Sequence, residues 1–211
     1  VKVLLVNGSP HPKGCTWTAL QEVGKAVAAE GIETEEFWIG NKPLTGCIGC
    51  GYCRQHGHCH YDDAVNQFLD LAGDYDGFVF GAPVHFASAA ASMIAFMDRV
   101  FFADQFGSDT HRFAFKPGAA IVSARRAGTT AALEELNKYL LYAQMPVVSS
   151  RYWNMVHGQT PADVEKDTEG LQIMRVLGKN MAWMLKNLEA GKQAGIALPE
   201  QEERISTNFI R

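Results

Sequence analysis

Nothing in these 211 residues is apolar over a long enough run to cross a membrane. The chain also lacks the charged start, apolar stretch and small-residue cleavage site of a secretory signal, so the expectation is a cytoplasmic protein. It has no excess of positive charge. Lys and Arg total 19 against 23 Asp and Glu, a formal net charge of −4, and a protein that binds nucleic acid needs a basic face. Repeats and low-complexity stretches are missing too. Two nucleotide signatures are absent: there is no GxGxxG followed by an acidic residue closing a second strand, and no GK[ST] ending a glycine loop. Those absences set aside nicotinamide dinucleotides as a resident group, and ATP. What remains is an ordinary globular composition, 47% hydrophobic and 20% charged, on a length that suits one domain with a sizeable core.

Along the chain a short apolar run, a turn and a helical pattern recur, which is the rhythm of β-α units around a parallel sheet. Val3 to Val6 is the first strand, and Ala19, Leu20, Val23, Ala26 and Val27 mark a helix that Gly31 stops. Thr34 to Ile39 reads as the second strand. Asp62-Asp63 caps a helix carrying Val65, Phe68, Leu69 and Ala72. Gly77 to Ala82 is the third strand, and Met93, Phe96, Met97 and Val100 mark the next helix. Ala119 to Val122 is the fourth strand, followed by a helix capped by Thr129 or Thr130, with Leu133, Leu136, Leu140 and Ala143 on one face. Pro146 to Ser149 is expected as the fifth strand. Met174, Leu177, Met181, Met184 and Leu188 make a long last helix. The expected architecture is a flavodoxin-like, doubly wound α/β sandwich. It has a five-stranded parallel sheet in the order 2-1-3-4-5, residues 1–190 as one domain and 191–211 as a polar tail. Such folds bind ligands beyond the carboxyl ends of the strands, where the strand order reverses.

The segments after strands one, three and four are the unusual ones. Asn7-Gly8-Ser9-Pro10-His11-Pro12-Lys13-Gly14-Cys15-Thr16 leads straight into a helix. A helix N-terminus presents unpaired N–H groups and a positive dipole end, and Ser9 and Thr16 add hydroxyls. A hydroxyl-rich loop around one phosphate monoester suits FMN better than a dinucleotide or ATP. This loop resembles the GSPR-x-x-GNT phosphate loop of NADPH-dependent FMN reductases and iron–sulfur flavoproteins, with His11 in place of Arg and Cys15 in place of Asn. The resemblance extends to Ala82-Pro83-Val84-His85-Phe86-Ala87-Ser88, similar to the family's segment that packs on the isoalloxazine ring. It extends also to Ser92-Met93-Ile94-Ala95-Phe96-Met97-Asp98-Arg99, similar to its KAFxDR helix. It implies that Ser9, His11, Gly14, Cys15 and Thr16 bind the phosphate. Pro83, Val84, His85 and Phe86 would meet the ring, as would Ser123, Ala124, Arg125, Arg126 and Gly128. His85 and Arg125 would tune the flavin. Tyr152 to Gly158, following the fifth strand, is expected from its aromatic content to line the entrance.

Four of the five cysteines crowd into Cys47, Cys50, Cys53 and Cys59, spaced C-x2-C-x2-C-x5-C. In a reducing compartment that reads as metal or redox chemistry before disulfides. Four thiolates over a short loop, with Gly49, Gly51 and Gly57 for sharp turns, suit a [4Fe–4S] cluster, and the motif resembles the compact one of iron–sulfur flavoproteins. Zinc, aided by His56, His58 and His60, a redox thiol pair, and a metal-free reduced loop stay open. Cys15 lies outside this set. The resemblance implies an FMN-dependent oxidoreductase loaded by NAD(P)H. Its electrons would pass to a small-molecule or protein acceptor, and the chain would be a homodimer or homotetramer. A flavodoxin-type carrier without turnover, or an FMN-binding sensor, are the other readings.

Overall fold

A computed structural model of the chain describes residues 1–107, 111–203 and 205–209, so Arg204, Ile210 and Arg211 of the expected tail lie outside the described residues. The elements are β1 (Lys2–Asn7), α1 (Cys15–Ala29), β2 (Glu33–Trp38), α2 (Cys53–His56), α3 (Ala64–Ala72), β3 (Gly77–His85) and β4 (Ser88–Ala89). Then follow α4 (Ala91–Phe106), β5 (Gly118–Ala124), α5 (Thr129–Tyr142), β6 (Met155–His157), α6 (Pro161–Val164) and α7 (Thr168–Gln193).

The central strands β1, β3 and β5 are apolar without alternation because both faces of the sheet are covered there, while β2, at the edge, is Glu-rich and largely exposed. Val3, Leu5, Val79, Ala119 and Ile121 face one core, closed by α1 and α7. Leu4, Val6, Phe78, Phe80, Ala120 and Val122 face the other, closed by α3, α4 and α5. The parallel ladder runs β2-β1-β3-β5-β6, the expected 2-1-3-4-5 order once β4 is set apart, since β4 only pairs antiparallel with the end of β3. The chain lays β2 on one side of β1 and then crosses to place β3 on the other. The loops after β1 and β3 therefore part at the carboxyl edge and leave a crevice.

The α1–α7 contact is close because Gly178 has no side chain. A Cβ there would stand 2.6 Å from both the Val23 carbonyl oxygen and the Ala26 Cβ. Backbone cannot yield as a flexible side chain does. Gly178→Val is therefore expected to cost about 3 kcal/mol by overpacking, which lowers Tm by roughly 6–12 °C in a domain of this size. Differential scanning calorimetry checks it, and an unchanged Tm would show that the two helices are free to separate.

Three expectations are corrected. The fifth strand is Met155–His157, not Pro146 to Ser149. Pro146 has no N–H to give a ladder, and only Val147 bridges to Gly118 before the chain leaves the sheet and rejoins it opposite Val122. Helix α5 is capped by Gly128, with Thr129 as its first residue, so neither threonine caps it. The last helix runs to Gln193, three residues into the expected tail. Asp63, by contrast, caps α3 as its sequence position implies, its side chain accepting from the Val65 N–H.

Candidate functional site

The loop after β1 is held in shape by residues on β1 and β2. Asn7 is buried at the end of β1. Its Oδ1 accepts from the Ser9 N–H at 3.1 Å, and its Nδ2 donates to the Pro12 carbonyl at 3.1 Å and to Glu36 Oε1 at 3.2 Å. Trp38 Nε1 donates to the Ser9 carbonyl at 2.8 Å. The His11 N–H donates to Ser9 Oγ at 3.2 Å, and the Gly14 N–H to the His11 carbonyl at 3.3 Å. The loop is thus a closed cradle delivered to the start of α1.

Gly14 is the N-cap of α1 and has no side chain to bond the first turn. The N–H groups of that turn are left for an acceptor from outside the helix. Beside them lie two buried hydroxyls, Ser9 and Thr16. Thr16 Oγ1 and Ser123 Oγ are 2.8 Å apart and share a proton, which joins this cradle to the end of β5. A Cβ on Gly14 would reach 3.2 Å from the His11 Cβ and 3.6 Å from Ser9 Oγ, so the cradle narrows there. Cys15 opens the helix, and its thiol donates to the Gly158 carbonyl at 3.6 Å. Burial pushes that thiol above its ordinary pKa, so it adds no negative charge here. This donor set fits a phosphate monoester: a helix N-terminus, buried hydroxyls and a narrow backbone turn. His11 and Lys13 are exposed on the loop's outer side.

The second loop is the β3–β4 hairpin. The Gly8 N–H donates to the Gly81 carbonyl at 2.8 Å, which ties it to the first loop. Pro83 and Val84 are half-buried, while His85 and Phe86 are exposed. Phe86 turns the hairpin with φ 56° and is fully exposed at 110%. A bulky residue rarely adopts that conformation, and it persists only where its surroundings impose it. The third loop follows β5. Ser123 and Ala124 are buried, Arg125 and Arg126 exposed. Gly128, at φ 93°, packs its backbone on the second loop: a Cβ would stand 2.9 Å from Val84 Cγ1. The Gly158 N–H donates to the Ala124 carbonyl at 3.0 Å. The predicted residues of all three loops therefore form one connected rim at the carboxyl edge. Of the Tyr152 to Gly158 stretch, Gly158 joins that edge, while Tyr152 and Trp153 lie farther back along the chain. They precede β6 rather than follow a strand, and form an exposed edge-to-face pair 4.7 Å apart.

The four clustered cysteines all line one small concavity, together with His60, Tyr61, Arg99, Phe102 and Ala103. Gly49, Gly51 and Gly57 turn the loop at φ 65°, 72° and 66°, the conformation for which glycine suits. The cysteines are free thiols. Burial pushes Cys53 up, and the sulfurs of Cys47, Cys59 and Cys50 add to it; a bound cation is what would release those protons. Among the described residues no three His, Cys, Asp or Glu side chains converge at the spacing of a single ion. Two of the nearby histidines are engaged elsewhere. His56 bonds the Tyr52 carbonyl at 2.9 Å and stacks on the Tyr52 ring, and His58 Nε2 bonds Asp70 Oδ1 at 2.6 Å. Four thiols lining one concavity supply the number and type of ligand that an iron–sulfur group takes.

Sequence reasoning missed Asn7, Glu36 and Trp38 as the frame of the first loop, and Arg99 beneath the cysteines. Their roles rest on contacts 5 to 40 residues away along the chain, which no local pattern reports. Helix α6 was missed as well, although Thr160-Pro161-Ala162-Asp163 carries its signal, a capping box with proline at the first helical position.

The model of the family described as NADPH-dependent FMN reductase matches residues 1–160. An iron-sulfur flavoprotein of Methanocaldococcus jannaschii is 32% identical over 197 residues, covering 88% of this chain and 98% of that protein. Among solved structures, a flavone reductase superposes with TM-score 0.68 at 18% identity over 90% of this chain, which spans 64% of that larger chain. A flavodoxin from the Archaea gives 0.58 at 15% identity, covering 88% of this chain and 99% of that one.

Proposed function

The chain belongs to the NADPH-dependent FMN reductase family and is an FMN-dependent oxidoreductase, and from that premise we propose that NAD(P)H is its donor and that its electrons reach a small-molecule or protein acceptor through a [4Fe–4S] cluster on Cys47, Cys50, Cys53 and Cys59. The observation that carries this reading is the connected rim at the switch point. The uncapped start of α1, the Thr16–Ser123 hydroxyl pair and the Gly128–Val84 contact bring three loops to one crevice.

In this reading Ser9, Gly14, Cys15 and Thr16 hold the phosphate, with His11 at the open side. Pro83, Val84, His85 and Phe86, with Ser123, Ala124, Arg125, Arg126 and Gly128, receive the ring. Bound FMN supplies reversible one- and two-electron chemistry. The chain's part is to bind, orient and tune. The buried hydroxyls and N–H groups neutralise the phosphate. Arg125 and His85, exposed at the rim, offer positive charge and a hydrogen bond where negative charge develops. The cluster reading is supported by the shared hollow, the glycine turns and the engaged histidines. Free thiols suit the reducing cytoplasm. Ile196, Leu198, Ile205 and Phe209 are exposed apolar residues beyond α7 and support a homodimer or homotetramer. Residues 1–190, with the end of α7, act as one folded unit.

Anaerobic stopped-flow mixing of the flavin-loaded protein with NADPH or NADH tests the donor. Rapid bleaching of the visible flavin band by either cofactor is the expected result. Reduction by dithionite but by neither nicotinamide would instead leave an electron carrier without turnover.

A further inference from the structure

Arg99, on α4, lies under the cysteine hollow, and its side chain is 1% exposed. Its Nε donates to Cys59 Sγ at 3.1 Å. Its two terminal nitrogens form a fork with Asp63, at 2.7 Å to Oδ2 and 3.0 Å to Oδ1. One of them also reaches the Tyr61 carbonyl at 3.2 Å, and the guanidinium sits 5.2 Å from the Tyr61 ring centre. A buried ion pair is often no more stabilising than apolar residues of the same size. The terminal nitrogens also donate to the Tyr61 and Thr45 carbonyls and so tie down the loop. The guanidinium does something packing cannot: it aims a fixed positive charge and one N–H at a sulfur of the cavity.

We propose that Arg99 sets the reduction potential of the iron–sulfur group held by Cys47, Cys50, Cys53 and Cys59, acting as a positioning residue through the Cys59 sulfur. This rests on the cluster reading above. On reduction one electron, supplied by reduced flavin, enters the cluster. No bond forms or breaks, and Arg99 keeps its proton. The thiolate-bound group becomes more negative by one charge, so a nearby cation and an N–H···S bond favour the reduced form, as hydrogen bonds to cluster sulfurs do generally. Arg99 therefore raises the potential. Asp63, on the far side of the same guanidinium, offsets part of that charge and lowers it.

The test is a redox titration with dithionite and mediators, followed by electron paramagnetic resonance, on anaerobically reconstituted wild type, Arg99→Gln, Arg99→Lys and Asp63→Asn. Asparagine caps a helix as well as aspartate, so Asp63→Asn keeps the start of α3. Arg99→Gln is expected to make reduction on the order of tenfold less favourable, a fall of 59 mV for one electron. Arg99→Lys is expected to fall less, and Asp63→Asn to shift upward. A purely structural role moves no potential, or moves both substitutions the same way, and either result overturns the proposal. If Arg99→Gln does not retain iron, Arg99→Lys and Asp63→Asn carry the same opposite-sign test. A wild-type chain that takes up no iron and sulfide overturns the cluster reading and this inference with it. An iron-loaded chain with unmoved potentials overturns this inference alone.

Discussion

Cys47→Ser is expected to yield a protein that binds FMN as the wild type does and holds almost no iron. Cys47 is exposed, so the substitution disturbs no packing, and surface changes of this kind alter stability by less than about 0.5 kcal/mol. Any loss of iron then reports a lost ligand and not a lost fold. The two sites are also separate along α4. Arg99 and Ala103, which line the hollow, lie roughly 12 and 18 Å along the helix from Ala91, beside the β3–β4 hairpin, at 1.5 Å per residue. Iron and acid-labile sulfide after anaerobic purification should fall from about four per chain to below one, while flavin content stays unchanged. Cys15→Ser, outside the hollow, should leave iron as it is. Zinc in place of iron in the wild type would reassign the hollow. Undiminished iron in Cys47→Ser would remove Cys47 from the ligand set.

The second large effect is at the other site. Thr16→Asp should abolish FMN binding while keeping the apoprotein folded. Thr16 is buried in the first turn of α1, with its hydroxyl 2.8 Å from Ser123 Oγ. An aspartate there is buried, a cost that the first-turn N–H groups, the Ser123 hydroxyl and the positive end of the helix dipole offset in part, so the apoprotein folds with a lowered Tm. Toward a phosphate the same carboxylate acts oppositely. It replaces a donor by a like charge, which costs on the order of 4 kcal/mol at contact distance near a protein surface, or roughly a thousandfold in Kd. Thr16→Val removes only the hydroxyl, a loss of about 1.5–3 kcal/mol, which is one to two orders of magnitude in Kd. Fluorescence titration of apoprotein with FMN, alongside the apoprotein Tm, separates binding from folding. Wild-type affinity in Thr16→Asp would move the phosphate away from α1.

The parts of the fold that local chemistry specifies were legible in the sequence. Val3 to Val6 is buried on both faces and reads as a continuous apolar run, and Asp63 stands before its helix as a cap. What was not legible depended on long-range pairing. Pro146-Val147-Val148 and Asn154-Met155-Val156 are similar short apolar runs, and only the ladder with β5 decides that the second is the strand. The positive φ of Phe86 opposes its own propensity and follows from the two-residue turn it makes between the paired His85 and Ser88. The site shows the same division. The hydroxyls, glycines and cysteines announce their chemistry by type and spacing. Arg99 sits in a helix like any other arginine until folding places Asp63 and Cys59 around it.

The flavin itself is the most direct test of the central claim. After anaerobic purification in dim light, the chain should release close to one FMN per polypeptide on denaturation, identified by chromatography against riboflavin and FAD. The apoprotein should then rebind FMN far more tightly than riboflavin, because the cradle at α1 is built for the phosphate. A protein isolated without flavin, which takes up none when FMN is added, would contradict the account.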